Sequence, residues 1–431
     1  LEGVDARLPE HRVRLFPPKT TLAMFLGQAL SADGSCQEAL NDAAVKRLIE
    51  GLDPCSTNTA AYCQARARLP QEMIETLARE VGARVAGVET KQPFWQGRRV
   101  LLADGTTLSL FDSEANQAAY PQSKTQKPGL GFPVLRVVVL MCLASGALLN
   151  AASGPCAGKG SDEQSLFRQL LDTLELGDVL LGDAFFPTYF LLCELMQRGV
   201  DGVFEQYGAR RRCSDFSLGE RLGTRDHLII WNKPKCPDWM SPEQYAAVPD
   251  TLKVRELAVS GKLLVTTFLS AKKIPKHRIK TLYQRRWTVE VNVRDLKVTM
   301  KMNPLRARTP DMVRKELWIY WLAYNLIRWL MVQAARWVNR LPGQLSFKHT
   351  LQLCISWQKR NDQNDAESVH DLLRLIAQPM VGIRPGRIEP RQLKRRAKKY
   401  PLMTKPREQA RADVRMNGHP KKSKPLAQLA A

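Results

Sequence analysis

The sequence predicts an α/β protein in which one series of strands and helices is interrupted by a β-rich stretch and flanked by helical regions. Three observations predict it. Helical periodicity fills residues 18–90, apolar strand-like runs begin at Arg98, and a long helical pattern returns at Lys276. At about 150 residues per domain, 431 residues suggest two or three domains. A hydrophobic fraction of 44% is enough for a sizeable core.

Pro70 opens a helix whose Met73, Ile74, Leu77, Val81 and Val85 recur at helical spacing. Before it, Thr57 or Asn58 caps a short helix carrying Tyr62, Arg66 and Arg68. The pair suits a helix-turn-helix reader and an ordinary helical bundle equally. From Arg98 the period changes. Arg99–Leu110 and the apolar run Phe132–Cys142 read as strands, and Ala147–Ala152 as a hairpin partner. A helix is expected over Ser161–Leu174 with Asp162 and Glu163 in its first turn, then a strand Val179–Asp183, a helix from near Pro187 and a strand Asp201–Glu205. The order β-β-β-α-β-α-β is that of an RNase H-like core. Residues 207–275 are turn-rich, with strand-like pieces at Leu228–Trp231 and Leu263–Leu269. A helix over Lys276–Met302 and an apolar one from Pro310 to about Val338 follow.

The net charge is +23, which makes polyanions the favoured partner, because Lys and Arg release counterions on meeting phosphates. From Arg384 onward there are fifteen Lys and Arg against three Asp and Glu, so about half of the excess lies in a Pro-interrupted tail that includes Arg391, Lys394 and Lys421. The nine Cys have no CxxC spacing and no His cluster beside them, which excludes a disulfide scaffold and structural zinc. No secretory signal pattern opens the chain, and Leu317–Val338 holds Asn325, Arg328 and Arg336, so it reads as a buried helix rather than a membrane span. A cytoplasmic protein with reduced thiols and no nucleotide cofactor is expected. Gly154…Gly158-Lys159 is too short for a phosphate-binding loop.

The strongest local signal is Tyr283-x2-Arg286-x3-Glu290-x6-Lys297. At about 100° per residue these four fall within roughly 60° of one another. Leu282, Val289, Val293, Leu296 and Met300 are expected on one flank, Trp287, Val291 and Val298 on the other, with Gln284, Arg285, Thr288, Asn292 and Asp295 facing solvent. Charges wedged between apolar sectors need partners. Metal with phosphate would supply them, and so would an internal Arg–Glu salt-bridge ladder. Asp104 ends an apolar strand (VLLAD) and Asp183 another (VLLGD). Singly each suits a turn or a helix cap. Together with Glu290 they form an all-oxygen set suited to two Mg²⁺ or Mn²⁺ ions about 4 Å apart.

With DGTTL around Asp104, GDAFF around Asp183 and the YQRRWTVE segment, residues 101–336 resemble the family-four insertion-sequence (DDE) transposases, which carry a YxxRxxxExxxxxxK signature. The resemblance implies that Asp104, Asp183 and Glu290 bind catalytic metals, and that Tyr283, Arg286 and Lys297 contact DNA phosphates. It implies nicking of the element end, a DNA hairpin, its reopening and joining to target DNA by a synaptic homodimer. An aromatic of the insertion would stack on a flipped base, with Trp231, Trp239 and Phe268 as candidates. Lys124 and Lys127, in a polar loop, and Arg210, beside Arg211 and Arg212, are further candidate DNA contacts.

The expected organisation is a helical DNA-binding region (1–97), a first core part (98–206), the β-rich insertion (207–275), core completion with the Glu290 helix (276–345), a helical region (346–383) and a basic tail without order (384–431). Element inverted repeats and target DNA are the expected partners. The first residue is Leu, not Met, which keeps open a truncated or domesticated, non-catalytic repressor of transposition; a general nuclease fits the basic tail and the insertion less well.

Overall fold

The computed structural model describes residues 15–31, 33–88, 95–158, 160–206, 214–358, 366–381 and 402–418. Helices α1 (Pro18–Leu30), α2 (Cys36–Ile49), α3 (Ala60–Arg68) and α4 (Gln71–Ala86) come first. Local chemistry sets their starts. Pro18 opens α1, the Ser35 hydroxyl accepts from Glu38 N at 3.1 Å to cap α2, and Asn58 Oδ1 accepts from Ala60 N at 2.9 Å ahead of α3. Phe16, Leu40 and Tyr62 close a small core around α2 and α3. Leu22 and Phe25 of α1 and Met73 and Ile74 of α4 join the main core instead.

The middle of the chain runs β1 (Val100–Ser109), α5 (Glu114–Ala119), β2 (Val134–Cys142), β3 (Leu148–Pro155), α6 (Glu163–Arg168), β4 (Val179–Gly182), α7 (Tyr189–Gln197) and β5 (Asp201–Glu205). The helix expected over Ser161–Leu174 is shorter: α6 stops at Arg168, and a 3-10 turn, Leu171–Thr173, then buries Leu171. Strands β6 (Glu220–Gly223) and β7 (Asp226–Asn232), helix α8 (Pro242–Ala247), and strands β8 (Thr251–Val259) and β9 (Lys262–Thr266) follow. All of these strands lie in a single nine-stranded sheet of order β3-β2-β1-β4-β5-β9-β8-β7-β6. Strands β1, β4 and β5 are parallel, while β1–β2, β2–β3 and β5–β9 are antiparallel. The β-rich stretch therefore extends the central sheet through β9.

After the sheet come α9 (Lys276–Gln284), α10 (Thr288–Arg294), α11 (Pro310–Trp337), α12 (Phe347–Gln358), α13 (Ala366–Ala377) and, in the basic tail, α14 (Arg407–Asn417). Within the tail expected to lack order, α14 is a helix with no buried residue; Arg391, Lys394 and Lys421 lie outside the described residues. The single helix expected over Lys276–Met302 is also corrected. A 3-10 turn, Arg285–Trp287, separates α9 from α10, and a wider π-type turn, Asp295–Thr299, follows α10. The angular reckoning drifts accordingly. Leu282, Val289, Val293, Leu296 and Met300 are buried as expected, but Trp287 and Val298 are 62% and 66% exposed, while Asn292 and Asp295 are buried.

Helix α11 is the central support, and its buried Asn325 and Arg328 have partners. Asn325 donates from Nδ2 to Ala78 O (3.0 Å) and Leu148 O (2.8 Å) and accepts from Leu148 N (2.9 Å), joining α4 and β3. This approach needs Gly82, where a Cβ would lie 2.2 Å from Leu148 O. Arg328 donates to Tyr324 Oη (2.8 Å) and to Asn292 Oδ1, and stands 3.9 Å from Asp295, which explains the inward turn of those two side chains. No helix among the described residues is long and apolar enough to cross a membrane.

Asn325→Leu keeps the volume but strands buried backbone groups of β3. It is expected to cost about 1–3 kcal/mol in urea denaturation; an unchanged midpoint would show that the three hydrogen bonds add nothing.

Candidate active site

Strands β1 and β4 pair in parallel register, Val100 with Val179, Leu101 with Leu180 and Leu102 with Leu181. Continuing that register by two residues brings Asp104 level with Asp183. Strand alternation puts Asp104 on the face of Val100 and Leu102, whose core also contains Ile279, Leu282, Val289 and Val293 of α9 and α10. Asp104 does not end its strand as the sequence suggests, because β1 continues to Ser109 along β2. What ends is the neighbour: β4 stops at Gly182, leaving one edge of β1 open beside Asp104. Asp183 begins the following turn, its Oδ1 accepting from Phe185 N at 2.9 Å.

The four signature residues link this crevice to the helices. Tyr283 is buried, and its hydroxyl donates to Gly182 O at 3.3 Å, clamping α9 to the end of β4. The hydroxyl expected to meet a DNA phosphate is thus buried and engaged with Gly182 in the chain without DNA. Arg286 donates from Nη2 to Glu290 Oε1 at 2.9 Å, a single ion pair one helical turn apart and not a ladder. Lys297 Nζ donates to Thr106 Oγ1 (3.0 Å) and Thr107 O (2.8 Å), fastening the π-type turn to β1 just past Asp104.

Crowded carboxylates raise one another's proton affinity. Asp104 is pushed up to about 7 by burial and then by the charges of Asp183, Glu290 and Glu163, against the opposing pull of Arg286. Burial, followed by the charge of Asp183, also raises Glu163, with Arg136 opposing. Lys297 is lowered by burial. The donor set is oxygen throughout, which suits hard divalent cations. As the side chains stand, no three His, Cys, Asp or Glu among the described residues enclose a single ion, and Glu290 is paired with Arg286.

The other expected contacts distribute unevenly. Lys124 and Lys127 are exposed on the loop after α5. Arg210, with Arg211 and Arg212, lies outside the described residues. Of the aromatics, Phe268 is corrected: it is buried against Trp95 at 5.4 Å, with no face for a base. Trp231 is half-buried and donates from Nε1 to Glu256 at 3.1 Å, and Trp239 is already covered by the Arg168 guanidinium at 3.9 Å. The exposed aromatic rings nearest the acids in sequence are Phe185 (66% exposed), two residues after Asp183, and Trp287, three before Glu290. Glu163 was read only as a charge favouring a helix start.

Residues 95–326 match the family described as Transposase DDE domain. Over 408 residues the chain is 27% identical to the transposase InsG for insertion sequence element IS4 of Escherichia coli (strain K12), covering 91% of this chain and 89% of that one. A solved piggyBac transposase synaptic complex with hairpin DNA is similar at a TM-score of 0.45 and 10% identity, covering 89% of this chain and 82% of that one. The family match takes in β1, β4 and the signature helices together, and the chain belongs to the Transposase DDE domain family: it is a DNA transposase, of an enzyme class that depends on divalent metal ions.

Proposed function

We propose that Asp104, Asp183 and Glu290 hold two divalent cations, Mg²⁺ or Mn²⁺, and that the chain excises an insertion sequence and joins its ends to target DNA. The observation that carries this reading is the level placement of Asp104 and Asp183 past the last β1–β4 pair, under the helices that bring Glu290. The order β3-β2-β1-β4-β5, with β1, β4 and β5 parallel, supports an RNase H-like core. Bound cations would activate the attacking hydroxyl and stabilise the leaving oxygen.

The chain's own groups do the rest. Arg286, now on Glu290, offers a planar fork suited to phosphate oxygens. Lys297 holds β1 in place and brings positive charge beside Asp104. Phe185 and Trp287 offer faces to a base displaced at the cut, worth about 1–3 kcal/mol per stacked base. Lys124 and Lys127 extend the phosphate track along their loop. Helices α2 and α3, with their own small core, suit reading of the inverted repeats within residues 1–97. The cut-and-paste route, the hairpin and a synaptic homodimer are taken from the resemblance to family-four transposases.

Two outcomes follow. With a duplex carrying the element's terminal repeat, Mn²⁺ or Mg²⁺ should support nicking at the repeat end. Asp104→Asn, Asp183→Asn and Glu290→Gln should each slow it by about a thousandfold or more while gel-shift binding persists. Nicking retained in one variant removes that residue from the metal site, and binding without nicking by the wild type favours the repressor reading.

The second is a stability measurement. Asp104 loses its proton near 3.8 when unfolded and near about 7 when folded, so the folded chain binds more protons between those values and stability falls as pH rises through them. In chelator at pH 8, Asp104→Asn should melt a few degrees above the wild type, with a smaller gain at pH 5. Equal melting temperatures at pH 8 would show that the carboxylate carries no strain from its neighbours.

A further inference from the structure

We infer that a basic hollow at the start of α9 seats the backbone of duplex DNA some way from the cut, an inference that rests on the chain cutting DNA at the Glu290 end of the same helical segment. Between Glu256 and Glu290 the sequence holds eight Lys and Arg and no Asp or Glu. Lys46 and Lys253, exposed elsewhere, are answered by Glu50 at 3.7 Å and Glu220 at 3.0 Å. Lys272, Lys273, Arg278 and Lys280 are exposed too, and among the described residues they form no ion pair. Their charge is left for a partner.

The surface beside them has a shape as well as a charge. A hollow of about 620 Å³ opens between the β6–β7 turn, the β8–β9 turn and the first turn of α9, with Lys276, His277 and Lys280 on one wall. The carboxylate in its lining, Asp226, is taken by Arg255 at 2.7 and 2.6 Å. Lys276 Nζ donates to Thr224 O (2.7 Å) and Arg225 O (3.2 Å), and Arg255 Nη1 to Ile274 O (2.7 Å), which ties the walls together. Leu222, Val259 and Pro275 give apolar sides that suit sugars, and the lysines a rim that suits phosphates. Val259 shares its core with Leu102, so the hollow opens on the sheet face that carries Asp104. The ten residues from Lys280 to Glu290 span roughly 15 Å of helix, the length of about four phosphates along one strand. A partner unrelated to the crevice would not need the acid-free run to continue from the hollow to Glu290. A DNA strand leaving the crevice does.

The test is gel-shift binding of the full chain to duplex DNA carrying the element's terminal repeat, between about 50 and 200 mM salt. Lys273→Gln combined with Lys280→Gln should weaken binding about tenfold at the higher salt and flatten the log–log salt slope by roughly 2. The corresponding Arg pair should bind as the wild type does. Lys253→Gln combined with Lys348→Gln removes two exposed lysines away from the hollow and should leave the slope close to wild type. Ethylation of phosphates about four nucleotides from the nick should block the wild type and not the Lys273/Lys280 Gln pair. Thermal unfolding checks that each variant folds. An unchanged slope in that pair, or an equal loss in the Lys253/Lys348 pair, would overturn the inference and leave DNA cutting intact. A wild type that binds no duplex would overturn both.

Discussion

Carboxylates crowded into a half-buried crevice repel one another and must find positive charge, and much of this chain is arranged around that need. Asp104 and Asp183 are brought level by the β1–β4 register, and Glu290 and Glu163 approach from separate helices. Arg286 answers part of the repulsion by pairing with Glu290 and pulling against the raised proton affinity of Asp104. A site that holds its negative charges together at some cost to the fold gains affinity for cations, since their binding relieves the repulsion.

Such repulsion is tolerable only on a rigid frame. The strands beneath the acids are buried on both faces, and α11 ties α4, β3 and the signature helices to them through Asn325 and Arg328. The partners of Asn325 and Arg328, buried in α11, fix one arrangement of the helices where an all-apolar face would allow sliding. Tyr283 and Lys297 extend that frame into the site: one is pinned to the residue before Asp183, the other to the segment after Asp104. Two members of the signature thus position the acids, whatever else they touch.

Strands β2 and β4 and the start of β1 were readable because doubly covered strands are written as unbroken apolar runs. Strand β8 was missed because it carries Lys253, Arg255 and Glu256. Arg255 is buried all the same, held by Asp226 at 2.7 and 2.6 Å, and Glu256 by Ser214 at 2.7 Å. The division of the signature helix was not readable either, since its 3-10 and π-type turns keep right-handed helical backbone angles and no Gly or Pro marks them. The Tyr-Arg-Glu-Lys spacing and the two strand-borne aspartates pointed to the crevice.

The most direct measurement is anomalous diffraction from crystals of the full chain soaked in Mn²⁺. The account requires anomalous peaks within about 2.1 Å of carboxylate oxygens of Asp104, Asp183 and Glu290, with Glu290 released from Arg286. Peaks confined to other parts of the surface, with Glu290 still paired to Arg286, would contradict it.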